Sequence, residues 1–273
     1  RFTDLDQWLH WQEHLHPSRI DLGLERLQIV WQRLYTKPVA FPIVTVAGTN
    51  GKGSSVTFVQ HILMAAGLKV GSYTSPHMLR YNERICINGQ PASDQALCAA
   101  FEQIDRSRQE ISLTYFEFGT LAAMLLFVQA QPDAVILEVG MGGRLDAVNL
   151  FSPTYSLITS IGLDHCAWLG NDRESIAREK AGILRHGRPL VCSEFDPPQS
   201  LLQRIDELAV RHYQIGRDFG FRSASDHWLW WSQEKQRKLP WPNLAGQFQL
   251  INASAACMLV ELGNGKSCQL KDE

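Results

Sequence analysis

The densest chemistry in the chain lies in Val46-Ala47-Gly48-Thr49-Asn50-Gly51-Lys52-Gly53-Ser54. Glycines let backbone N–H groups wrap phosphate oxygens, a helix start behind them adds positive potential, and Lys52 supplies a mobile charge. Gly48, Thr49, Asn50, Gly51, Lys52, Gly53 and Ser54 are therefore the candidate phosphate contacts. The run departs from the common P-loop, since Val46 stands where the first glycine belongs and Gly53 follows Lys52. The alternative is an ordinary turn with a solvated lysine, against which the strand–loop–helix context speaks. Glu138 closes an apolar run, and a carboxylate at the C-terminal end of a buried strand suits Mg²⁺, which takes oxygen ligands and bridges phosphates. A structural ion pair is the other reading of that acid. His165 alone is a more common structural residue than ligand. Lys180, followed by Gly182 as a cap, reads equally as a cation complementing a helix dipole.

The elements that must hold these residues follow from apolar periodicity. Helices are expected at about 5–14 and 24–35, where Leu24, Leu27, Trp31 and Leu34 recur at helical spacing, with a loop at 16–23 between them. The run 42–47 is short, β-branched and apolar on both faces, as a buried parallel strand requires. It leads through the glycine-rich turn into a helix at 54–66 and a strand at 69–73, a βαβ unit. A helix at 117–130, strands at 133–139 and 155–160, a helix at 173–184, a strand at 188–192 and a helix at 198–211 continue the alternation. Such alternation predicts an α/β fold with a mainly parallel sheet flanked by helices. Beyond Gly216 short aromatic segments such as His227-Trp228-Leu229-Trp230-Trp231 predict a small β-rich segment at about 217–245, before a final helix at about 250–262.

At 273 residues and 45% hydrophobic content, one large core or a core with a small appendage is affordable. The net charge of −2 argues against nucleic acid as a partner. The longest apolar stretch, Leu121 to Val128, is too short to span a membrane. The first residues, Arg1-Phe2-Thr3-Asp4, carry no export signal, and six scattered cysteines (Cys86, Cys98, Cys166, Cys192, Cys257, Cys268) show no metal-finger spacing. A cytoplasmic protein with reduced thiols is the expectation.

The Gly-Thr-Asn-Gly-Lys-Gly variant resembles the ATP loop of the Mur ligase superfamily, in particular its folylpolyglutamate synthase/dihydrofolate synthase family. Further runs match in order: Tyr73-Thr74-Ser75-Pro76-His77 with Arg80-Tyr81-Asn82-Glu83-Arg84, Leu137 to Ala147, Gly162-Leu163-Asp164-His165, and Arg178-Glu179-Lys180-Ala181-Gly182-Ile183. The resemblance implies an ATP-dependent ligase that joins L-glutamate to dihydropteroate or a reduced folate through an acyl phosphate, acting as a monomer. It implies two Mg²⁺ ions shared by Ser75, Glu138, His165 and Lys180, with Lys180 carbamylated so that a cation becomes an anionic ligand. Lys52, Lys180 and His165 are its catalytic candidates, and Asn252 matches an adenine-contacting asparagine, although Gly246-Gln247-Phe248-Gln249 beside it reads equally as loop. Imidazole is an uncommon Mg²⁺ ligand, so the assignment of His165 rests on the resemblance. For the acid substrate the family pattern points to Asp21-Leu22-Gly23-Leu24, Thr114-Tyr115-Phe116-Glu117 and Leu145-Asp146-Ala147. Phe116 is open between pocket wall and core. The resemblance also implies a C-terminal domain that the sequence after Leu262 does not resemble.

Three alternatives remain at this level. A sister ligase adding amino acids to a peptidoglycan precursor is disfavoured by the Leu-Thr-Tyr-Phe-Glu and Ile-Asp-Leu-Gly segments. A nucleotide switch or transport ATPase would lack Glu138, His165 and Lys180 in this order. A non-catalytic ATP-binding fragment is the third.

Overall fold

A computed structural model describes residues 1–18, 20–244 and 246–263; Arg19, Ala245 and the expectation for Cys268 lie outside the described residues. The chain opens with α1 (Leu5–Leu15), whose N-cap Asp4 accepts from the Gln7 N–H at 3.1 Å, and α2 (Glu25–Leu34). Trp8 of α1 is fully buried.

The central sheet begins with β1 (Ile43–Ala47), buried at every position, then α3 (Lys52–Ala65) and β2 (Val70–Tyr73). A 3₁₀ turn at Tyr81–Arg84 leads into β3 (Ile85–Ile87), β4 (Gln90–Pro91) and α4 (Asp94–Arg108). Next come α5 (Tyr115–Ala130), β5 (Ala134–Glu138), a 3₁₀ turn at Ala147–Leu150 and β6 (Tyr155–Ile158). The short α6 (Cys166–Leu169), α7 (Arg173–Ala181), β7 (Pro189–Cys192), α8 (Gln199–Glu207) and β8 (Arg211–Gln214) complete the sheet side.

The strands order as β4-β3-β2-β5-β1-β6-β7-β8. All neighbours from β2 to β8 are parallel, while β3 and β4 form an antiparallel edge. The α/β fold with a mainly parallel sheet is as the sequence predicts. Because β1 lies between strands reached in opposite directions, the carboxyl ends of β1, β5 and β6 meet at a topological switch point, where open α/β sheets bind ligands. Registers Val46↔Glu138 and Ala47↔Ile158 bring the glycine-rich loop, Glu138 and the segment after β6 to one sheet edge.

A second sheet, β11-β10-β9, is made of β9 (Phe219–Ser223), β10 (Trp228–Ser232) and β11 (Gln236–Leu239), all antiparallel. It docks on α9 (Gln247–Gly263), to which Trp230 is fixed by an indole N–H bond to the Ser254 carbonyl at 3.1 Å. Two apolar layers result: α1, α2, α4 and α5 cover one face of the main sheet, and α3, α9 and the aromatic strands cover the other. No helix among the described residues is long and apolar enough to cross a membrane.

Several boundaries differ from the sequence reading. The helix expected at 198–211 stops at Glu207, Ala209 reverses the chain at φ 46°, and Arg211–Gln214 pairs with β7 instead. That strand lies at the sheet edge with polar, partly exposed side chains, so it carries no apolar run. The helix expected at 173–184 ends at Ala181, and residues 247–249 are helix rather than loop. The β3–β4 edge and α4 were not foreseen, although Ser93 caps α4 by accepting from the Ala96 N–H at 3.2 Å and Leu97, Phe101 and Ile104 carry helical spacing.

Candidate active site

The glycine-rich loop is shaped by close packing. A Cβ at Gly48 would stand 1.7 Å from Thr159 Oγ1, and one at Gly51, at φ +86°, would stand 2.5 Å from Asn252 Oδ1. The loop is stitched to the segment after β6: Thr49 N–H donates to Ser160 O at 2.6 Å, Asn50 N–H to Ser160 Oγ at 3.0 Å, and Gly162 N–H to Thr49 Oγ1 at 3.0 Å. Gly51 caps α3 without a side-chain bond, which leaves the amides of that helix start facing the loop. Lys52 Nζ folds back onto the carbonyls of Gly48 (2.9 Å) and Thr49 (3.1 Å). Gln249 Nε2 donates to Ser54 Oγ at 3.4 Å, and Asn252 Nδ2 to Gln249 Oε1 at 3.1 Å. Thus α9 brings Asn252 to the loop across about two hundred residues of sequence, a separation that hides the pairing from a linear reading.

Glu138 is 4% exposed and accepts the Ser75 N–H at 3.1 Å. Its oxygens face Gly53, where a Cβ would stand 3.6 Å away. Burial raises its pKa above the carboxylate norm, and the Ser75 N–H, Lys52 and Arg84 draw it back down. A buried acid with one hydrogen bond calls for a cation.

Lys180 is 3% exposed, so a solvated partner of the helix dipole is not what the fold makes of it. Burial first, and then the charge of Lys52, lower its pKa to about 8, against the opposing pull of Asp164. The close approach that seats it is made by glycines: a Cβ at Gly143 would stand 2.8 Å from Glu179 O, and one at Gly182 would stand 2.4 Å from Arg144 Cα. Gly182 is right-handed at φ −62°, so contact, rather than a left-handed cap, demands glycine there.

His165 is more exposed than that buried group. It caps α6 at φ 48°, is half exposed, and has Asp164 beside it at 3.6 Å. Among the described residues it makes no bond to Ser75, Glu138 or Lys180.

A cavity of about 550 Å³ opens beside these groups. Asp21, Leu22, Gly23, Thr114, Tyr115, Phe116, Glu117, Leu145, Asp146 and Ala147 all line it, together with Ser75 and His165; Leu24 does not. Phe116 is both wall and packing: its ring lies 5.8 Å from Tyr73, and a Cβ at Gly140 would meet it at 2.7 Å. Asp146 is buried and accepts from Met141 N–H (2.8 Å) and Val148 N–H (3.1 Å), yet burial still lifts its pKa to about 7. Thr114 and Glu117 form the capping box of α5, and Glu117 accepts Arg26 Nε at 2.9 and 3.1 Å. Arg26 also binds the Asp21 carboxylate and carbonyl, so a single guanidinium ties the 21–23 wall to α5. Arg26 and Arg84 were not singled out from the sequence; Arg84 stood inside a quoted run, while Arg26 carried no signal.

A family model described as Mur ligase middle domain matches residues 46–260. This chain belongs to the Mur ligase family. Within that family it is 49% identical, over 82% of its length, to the dihydrofolate synthase/folylpolyglutamate synthase of Escherichia coli strain K12, of which it covers 53%. A solved structure of E. coli FolC in complex with DHPP and ADP superposes with a TM-score of 0.92 at 44% identity, covering 98% of this chain and 64% of that one. Another, a bifunctional folylpolyglutamate synthase/dihydrofolate synthase with Mn, AMPPNP and L-glutamate bound, gives a TM-score of 0.85 at 48% identity over 95% and 62% of the two chains. The chain spans about half the length of the curated relatives it matches.

Proposed function

We propose that the protein is an ATP-dependent ligase that joins L-glutamate to dihydropteroate, reduced folates or both. The observation that carries this reading is the convergence of the acid-pocket residues, all but Leu24, on one cavity that also takes in Ser75 and His165. Relatives that bind ADP, DHPP, AMPPNP, Mn and L-glutamate support it.

In this reading a substrate carboxylate oxygen attacks the γ-phosphorus of ATP, the bond to the β-phosphate oxygen breaks, and ADP leaves. The glutamate amine then attacks the acyl carbon, phosphate departs, and the amine loses its proton. The glycine-rich loop amides and Lys52 bind and orient the phosphates, and Lys52 offsets negative charge gathering on the transferring group. Asn252 is read as the adenine contact. Glu138, Ser75, His165 and a carbamylated Lys180 would hold divalent metal, two Mg²⁺ ions in the fullest form. Glu138 fits such a role, because a buried carboxylate with a single backbone hydrogen bond keeps lone pairs free for a metal ion. Bound metal would supply charge neutralisation of the phosphates. Residues 21–23 and 114–117 with Leu145, Asp146 and Ala147 would shape the pterin side, where Asp146 accepts ring N–H bonds and Phe116 offers a flat face.

The described residues are read as the ATP-binding domain with β9 to β11 as its appendage, and closure over the nucleotide as the task of the C-terminal domain the resemblance implies. A cytoplasmic protein is in keeping with five described cysteines that are free thiols, and a monomer is the form the resemblance implies. Isothermal titration of full-length protein with dihydropteroate, in ATP and Mg²⁺, is the test. Binding supports the bifunctional form; undetectable binding beside tight tetrahydrofolate binding limits the enzyme to folate extension; neither ligand binding retires the reading.

A further inference from the structure

Arg84 is the one lysine or arginine among the described residues that line the cavity, and no function is yet given to it. It ends the 3₁₀ turn Tyr81–Arg84, and its carbonyl accepts the Thr74 N–H at 2.8 Å, which seats it next to the Ser75 segment. Its side chain is held on two sides. Nε donates to His77 Nδ1 at 2.8 Å, and Cζ lies 5.4 Å from the Tyr81 ring and 5.5 Å from the Tyr115 ring. Those rings meet at 5.6 Å and 90°, a rigid corner. An arginine only donates, so His77 Nδ1 accepts in this contact and is unprotonated.

Of the four acids that line the cavity among the described residues, three are already engaged, and the fourth, Glu13, makes no ion pair with Arg84. Glu117 and Asp21 share Arg26, and Asp146 is bonded by backbone amides. Among the described residues no carboxylate pairs with Arg84, and Nη1 and Nη2 have no hydrogen-bond partner. A guanidinium pinned at Nε presents those two nitrogens as a fork that matches a carboxylate. Arg84 is partly buried and acts on Glu138 only through space, so both of these nitrogens are left to meet an anion in the cavity.

We propose that Arg84, braced by His77 and the Tyr81–Tyr115 corner, binds the carboxylate of the acid substrate and presents it beside Ser75 to the terminal phosphate of ATP. This rests on the ligase reading above. Arg84 then selects acids over neutral analogues, and His77 is a positioning residue.

The test is isothermal titration of full-length protein, with Mg²⁺ and a non-hydrolysable ATP analogue, using dihydropteroate and its carboxamide. The parent is expected to favour the acid by roughly 10- to 100-fold, the range of a charge-assisted hydrogen bond. Arg84→Gln should bind both compounds alike, Arg84→Lys should recover part of the preference, and nucleotide affinity should stay within about threefold in both. Loss of discrimination with nucleotide binding intact is not what a misfolded variant gives. Arg84→Gln retaining the parent's preference would overturn the proposal and leave the ligase reading standing. A parent that binds nucleotide but neither compound would overturn the ligase reading, and this proposal with it.

Discussion

Replacing Arg26 by Met removes the single guanidinium that joins the 21–23 wall to the start of α5. Glu117 is 4% exposed at its side chain and Arg26 22% exposed. Removing one partner of a buried pair costs about 3–5 kcal/mol. Glu117 keeps its bonds from Thr114 N–H (2.8 Å) and Oγ1 (3.0 Å), and Arg26 is partly solvated, so the cost falls below that range, to about 2–3 kcal/mol. Urea unfolding reads this as a lower midpoint at unchanged slope. Titration with dihydropteroate should show weaker binding, since Asp21 to Gly23 lose their tether, while ATP binding holds. Glu117→Gln and the double variant complete a cycle whose coupling should be about 1–3 kcal/mol. An Arg26→Met protein that unfolds and binds acid like the parent would show that Glu117 is not a strut, and would return it to the list of direct substrate contacts.

Lys52→Ala and Glu138→Ala should each lower ATP turnover by far more than about threefold, which is below one kcal/mol of barrier; a smaller loss removes those residues from the phosphate site. Lys180, with its pKa brought to about 8, holds roughly a quarter of its amine neutral near pH 7.5, against about a thousandth for a free lysine. That amine can add CO₂ and release a proton, so ¹³C-bicarbonate should give a carbamate resonance that Lys180→Ala lacks, and a small added carboxylate should partly restore that variant's activity. Equal spectra for parent and variant would discard the carbamate. Asp146, lifted to about 7 by burial, gains its charge as pH rises through that value, so dihydropteroate affinity should increase between pH ~6 and ~8. Asp146→Asn should flatten the profile; an unflattened one places the titration elsewhere.

Strand–loop–helix alternation was legible because buried parallel strands are continuous apolar runs and the glycine-rich loop stands between two of them. The phosphate loop, Glu138 and the acid-pocket segments could be picked out one by one, each from its local residue types or its family match. Their convergence could not, since it depends on the strand order that interleaves β5 between β1 and β2. The edge strand β8 was hidden because its side chains are polar and partly exposed. Lys180 was ambiguous for a related reason: its burial comes from Gly143 and Gly182 packing against the chain on either side, a three-dimensional contact with no linear signature. Arg26 and Arg84 were invisible as site residues because a lone arginine is usually a solvated charge.

The most direct test is phosphate release from ATP by full-length protein, with dihydropteroate and L-glutamate added separately and together. A ligase working through an acyl phosphate should release phosphate at full rate only when acid and amino acid are both present, with Lys52→Ala silent in every arm. Phosphate release that ignores the acid, or that requires a peptidoglycan precursor in its place, would contradict it.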